Sequence, residues 1–198
     1  MVIAAMMAIV SANAQHREGE FSIQPRVGVT FSTLTNTDDA KMKINLTYGA
    51  EYEQYITDQF SLAGGVLFTN QGFKYDDGDG TLNNYYFAVP ITANYYVVPG
   101  LAVKAGVQPG FKMRAKAKLD DRTIDLDDLY KLDQLLTGED IKVSKFDLSI
   151  PVGISYEYKN IVLDARYNWG LVKVLNVGDA FYNRCFMLSL GYKLELGN

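Results

Sequence analysis

Residues 146–169 read FDLSIPVGISYEYKNIVLDARYNW. Phe146, Leu148, Ile150, Val152, Ile154 and Tyr156 alternate with Asp147, Ser149, Ser155 and Glu157. After Lys159-Asn160 the alternation resumes, with Ile161, Leu163, Ala165, Tyr167 and Trp169 set against Asp164, Arg166 and Asn168. A period of two puts each set on its own face of a strand, and a two-residue break between two such runs predicts a tight hairpin. The apolar rows are also graded along their length, since Phe146 and Tyr156 bracket Ile150 and Val152. An aromatic ring can bury its body and keep its edge wet, so aromatic ends around an aliphatic middle fit a face that runs from one wet interface to another.

Working outward, the same alternation recurs six more times. Apolar rows are formed by Phe21, Ile23, Val27, Val29 and Phe31, by Ile44, Leu46, Tyr48, Ala50 and Tyr52, and by Phe60, Leu62, Val66 and Phe68. Further rows follow in Phe87 to Tyr95, Leu101 to Phe111 and Phe186 to Leu194. The connections alternate in length, with tight turns near Thr57-Asp58, Val98-Pro99-Gly100 and Lys159-Asn160 and longer links near 32–43, 74–83, 116–145 and 170–181. Short turns at one end and long loops at the other predict an all-β, eight-stranded antiparallel up-and-down transmembrane β-barrel, with both chain ends on the short-turn, periplasmic side. Ten strands result if the long insertion forms another hairpin. Prolines 25, 90, 109 and 151 fall inside these strands, where a missing N–H interrupts a ladder, so bulges or strand ends are expected there.

The polar faces carry small residues and twelve charges: Arg26, Lys104, Lys112, Arg114, Arg166 and Lys193 against Glu51, Glu53, Asp147, Glu157, Asp164 and Glu195. Equal numbers of each sign suit an enclosed lumen, where an unpaired charge costs several kcal/mol. These residues are expected to form an interior charge network. With eight strands the barrel is just wide enough to be filled by its own side chains, which favours a structural core over an open water channel.

The chain has 198 residues, enough for one domain, and a net charge of −4, with no basic run to suggest nucleic acid. One cysteine, Cys185, and one histidine, His16, leave no basis for a disulfide, a zinc cluster or a His-dependent triad, so no catalytic, cofactor or metal residues are assigned. Residues 1–14, an apolar run ending in Ala12-Asn13-Ala14, read as a secretory signal peptide, which leaves 15–198 as the barrel domain. The Asp76-Asp77-Gly78-Asp79-Gly80 stretch has part of a calcium-loop pattern but no following bidentate Glu, and reads as a solvated turn. In the long insertion, Ile124, Leu129, Leu132, Leu135 and Leu136 predict a short helix capped by Thr123 or Asp125 and ended by Gly138. That insertion is acidic, so lipopolysaccharide phosphates would need bridging cations to bind there.

The stretches GGVLFTNQGFKY (64–75), YYFAVPITANYYV (85–97), GVQPGFKMRAKAK (106–118), YEYKNIVLDARYNWGL (156–171) and NRCFMLSLGYKL (183–194) resemble the outer-membrane β-barrel family abundant in Bacteroidetes, often labelled porin family protein. The resemblance spans the mature chain and implies a small barrel of the OmpA/OmpX type in a Gram-negative outer membrane. It also implies insertion by the barrel-assembly machinery, and no defined substrate. The expected partners are outer-membrane lipids, lipopolysaccharide and an unidentified extracellular ligand. The expected role is structural or surface interaction, with a narrow porin-like channel as the alternative and a rim enzyme acting on lipids as the third reading.

Overall fold

A computed structural model of the protein describes residues 17–34, 40–41, 43–71, 74–75, 80–119, 122–125, 146–173 and 182–196. In chain order the strands are β1 (Phe21–Leu34), β2 (Ala40–Lys41), β3 (Lys43–Thr57), β4 (Phe60–Gln71), β5 (Lys74–Tyr75), β6 (Gly80–Ala88) and β7 (Ile91–Val98). They are followed by β8 (Leu101–Leu119), β9 (Arg122–Asp125), β10 (Phe146–Tyr158), β11 (Ile161–Lys173), β12 (Tyr182–Tyr192) and β13 (Leu194–Glu195). Eight staves form the wall: β1, β3, β4, β6 with β7, β8, β10, β11, and β12 with β13, each antiparallel to the next. β1 pairs with β12 and β13, so the first stave meets the last and no edge remains in the wall. Hydrocarbon offers backbone groups no partner, which is why a sheet in lipid has to close.

The faces are inverted relative to a soluble sheet. Val152, Ile154 and Trp169 are 53%, 55% and 56% exposed, whereas Asp164 and Arg166 are 0% and 1% exposed. A soluble sandwich would bury the first group and wet the second. Outward rings gather toward the two ends of the wall. Tyr48–Phe68, Phe68–Phe87 and Phe111–Phe146 pair at 5.6 Å near the long-strand end, and Phe21–Tyr52 pair at 5.9 Å near the short turns. Val66, Val107, Ile150 and Leu163 stand among the exposed aliphatics between them.

Tight turns lie at 58–59, 99–100 and 159–160, where the spacing predicts them. Gly100 and Lys159 supply positive φ of 82° and 54° at two of them. Pro90 falls at strand ends as expected, whereas Pro25, Pro109 and Pro151 lie inside strands, and no register shift coincides with any of the four. Pro25 pairs with Ala50 on β3 and lies where the ladder to the last stave lapses between β12 and β13. Pro90 separates β6 from β7, which continue one stave: both pair with β4, and the Val89 N–H reaches the Pro109 carbonyl at 2.8 Å. Pro151 pairs with β11 and lies opposite the gap in the β8–β10 ladder, while Pro109 keeps its place opposite Leu148. A missing N–H thus deletes a rung and leaves the register unchanged.

The long-loop end holds two departures from expectation. Thr123 and Ile124 are not at a helix start: with Asp125 they lie in β9, which pairs with β8 as a hairpin, Lys118 opposite Thr123 and Lys116 opposite Asp125. Residues 126–145, with Gly138 and the leucines of the expected helix, lie outside the described residues, as do the leader, His16 and Asp76 to Asp79. Second, β8 has 19 residues, against about 9–11 needed to cross a bilayer. It continues past the wall beside β6 and β9, and β6 joins β5 and β2, in an extension above the aromatic belt.

Candidate functional site

Eight of the twelve expected interior charges are buried: Arg26, Lys104, Arg166 and Lys193, with Glu51, Glu53, Glu157 and Asp164. They form two joined tiers. In the first, Arg166 donates Nη1 and Nη2 to the two Glu51 oxygens at 2.6 and 2.7 Å, Nη2 also donates to Asp164 at 3.0 Å, and Nε lies 2.7 Å from the other Asp164 oxygen. Arg26 lies 3.2 Å from Glu51 and 3.1 Å from Asp164, and Lys104 is 2.9 Å from Asp164. A guanidinium presents its donors as a planar fork, so the bidentate Arg166–Glu51 pair fixes both side chains.

The second tier sits nearer the short turns. Glu53 accepts from Ser61 at 2.5 Å, Asn94 at 2.8 Å, Tyr96 at 2.9 Å and Gln24 at 2.6 Å. Lys193 pairs with Glu157, donates to the Tyr55 hydroxyl at 2.5 Å, and lies over the Tyr55 and Tyr96 rings at 5.2 and 5.9 Å. Gln24 joins the tiers, accepting from Arg26 at 2.9 Å while donating to Glu53. The first tier holds three cations and two anions, the second one cation and two anions, so the excesses cancel across Gln24.

Small inward residues make room for these stems. Gly153 stands opposite both Lys104 and Arg166, and a Cβ there would come within 2.4 Å of the Ala165 carbonyl and 2.9 Å of Arg166 Cγ. Gly65 stands opposite Glu51, where a Cβ would meet Glu51 Cγ at 2.6 Å. These glycines serve close approach, a use legible in sequence only once the partner strand is known.

Four expected members lie elsewhere. Glu195 is exposed: it pairs with Ser22 at the end of the last stave, where the wall stops and solvent replaces a neighbour. Lys112 and Asp147 are half-buried above the first tier. Arg114 follows a bulge: Tyr86 pairs with Lys112 but Tyr85 pairs with Arg114, so Met113 is an extra residue in β8.

Two spaces flank this region. Inside, a cavity of about 10 Å³, the room of one water, is bordered by Tyr86, Gln108, Asp147, Ser149, Asn168 and Cys185. Outside, a groove of about 570 Å³ is bordered by exposed Leu46, Tyr48, Tyr85 and Met113 together with Phe68, and buried Thr69 and Tyr86 also line it.

The chain matches the family described as outer membrane protein beta-barrel domain over residues 13–176. It belongs to that family. The crystal structure of Ail, the attachment invasion locus protein of Yersinia pestis, is similar, with a TM-score of 0.54 and 18% identity over 89% of this chain and 99% of that one. Neisserial surface protein A is also similar, with a TM-score of 0.54 and 16% identity over 90% of this chain and all of that one. A further Ail crystal structure, in complex with the heparin analogue sucrose octasulfate, has a TM-score of 0.53 and 16% identity over 89% and 99% of the two chains. None of the curated protein sequences matches the chain. At such identities the likeness shows the barrel fold, and family membership places this protein in the outer membrane. Its exposed apolar rows are therefore the lipid-facing surface.

Proposed function

We propose that this outer-membrane barrel is a closed, non-enzymatic scaffold that displays its long-strand end at the cell surface. The observation that carries this reading is the buried set of four cations and four anions, joined across the lumen by side chains of β1, β3, β8, β10, β11 and the last stave. Charges that saturate one another in a barrel of this width fill the path a solute would need. Surface display is further supported by the strands that outrun the membrane, and by the attachment and invasion named for the similar Ail. Residues 1–14 as export leader, insertion by the barrel-assembly machinery and a place in the Bacteroidetes branch belong to the same reading. They are supported by the Ala12-Asn13-Ala14 segment and the quoted family-like stretches.

Purified protein in planar bilayers tests it. Conductance near background is the expected result. Reproducible stepwise openings would overturn the closed scaffold in favour of the narrow porin-like channel.

A further inference from the structure

Above the first tier lies the small cavity bordered by inward residues of β6, β8, β10, β11 and β12. Its room comes from residues with little side chain. Ala88 pairs with Gly110 and Gly110 with Asp147, while Gln108 pairs with Ser149 and Ser149 with Gly170. A Cβ on Gly110 would stand 3.6 Å from Asp147 Cβ and 3.8 Å from Tyr86 Cδ1. Those are ordinary contact distances, so a methyl fits there and takes up the room of the cavity.

The border of this space is short of hydrogens. Gln108 Oε1 and Asn168 Oδ1 are buried with no hydrogen-bond partner, on residues only 6% and 5% exposed. The Ser149 hydroxyl donates to the Gln108 backbone carbonyl at 3.4 Å, and the Cys185 thiol to the Phe186 carbonyl at 3.7 Å. That leaves the Tyr86 hydroxyl, which brings one hydrogen at most. Charge points the same way. Asp147 borders the cavity, and its carboxylate acts on both Tyr86 of β6 and Cys185 of β12, so the space between them is at negative potential.

A guest here has to fit the volume of one water, donate to several oxygens and carry positive charge. Water brings two lone pairs with its two hydrogens, and the lone pairs find few donors on this border. A calcium ion needs about six to eight oxygens, more than so small a space provides. An ammonium group is about the size of a water and has N–H donors with no lone pair.

We propose that this cavity binds an ammonium group, held by Gln108 Oε1, Asn168 Oδ1 and the Asp147 carboxylate. Asp147 is half-buried, so the site is reached from the long-strand end, and the paired charges of the first tier close its floor. It is a blind site at the top of the lumen, and binding there needs no passage through the barrel. The guest is free ammonium or the end of an aliphatic amine, two sources that the test separates.

The full-length protein is folded in non-ionic detergent micelles, and its thermal midpoint is followed by circular dichroism while ammonium chloride replaces sodium chloride at constant ionic strength. Wild type is expected to gain about 3–6 °C, in a saturable way, once ammonium exceeds its dissociation constant about tenfold. G110A fills the cavity and keeps every acceptor, whereas Q108L removes one acceptor, and each is expected to lose the gain. Q108E, which keeps an oxygen there and adds charge, is expected to retain it. Heat-modifiable gel migration reports the folding of each variant. No gain in wild type overturns the proposal and leaves the cavity to a resident water. An equal gain with tetramethylammonium, which has no N–H, overturns it too, as does a gain that persists in G110A. A gain with ammonium alone assigns the site to the free ion, and a gain with putrescine at lower concentration assigns it to the end of a longer amine.

Discussion

Arg166 shows what the lumen demands of one residue. It is 1% exposed, and its guanidinium engages Glu51 through two nitrogens and Asp164 through a third. Replacing it by Met leaves two buried carboxylates with fewer partners, and breaking a buried pair from one side costs about 3–5 kcal/mol. R166M is therefore expected to lower the urea midpoint of unfolding in vesicles by that amount of stability. The double variant E51L/R166M is expected to cost less than the sum of the single changes, because it removes both halves of the bidentate pair together. A double-mutant cycle that proved additive would show the pair to be uncoupled.

At the scale of an element, β8 changes role along its length. Below Met113 it alternates Lys104 and Gln108 inward against Val103 and Val107 outward, and at Met113 its pairing with β6 skips one residue. Deleting Met113 should restore one-to-one pairing with β6. The expected outcome is a barrel that still shows heat-modifiable migration, because the pairing of β8 with β7 and β10 is untouched.

For the whole molecule, attachment to the membrane comes from exposed apolar rows on every stave, while eight charges are sealed inside. High salt screens exposed charges and cannot reach these eight. Membranes washed with molar salt and then with alkaline carbonate should keep the protein in the pellet, and the folded form should run faster on gels than the boiled form. Release by salt would mean that charge, rather than the closed wall, holds it.

The sequence by itself determined the strands, the short turns and the inside-out polarity. Alternation is a local property with a period of two, and the face opposite Asp164 and Arg166 can be read without a partner strand. Tertiary structure decided what depends on registration between strands. It set Gly153 against Arg166 and Lys104, spread the rungs around Pro25 and Pro151, and left Glu195 in solvent at the end of the wall. It also turned Thr123 and Ile124 from an expected helix start into a hairpin strand, paired with β8 above Phe111, where among the described residues the pairing with β10 ends. Strict alternation continued through Met113 assigns Arg114 to the lumen, but the pairing with β6 skips Met113. One extra residue in a ladder shifts every pairing beyond it, and only the neighbouring strand records it.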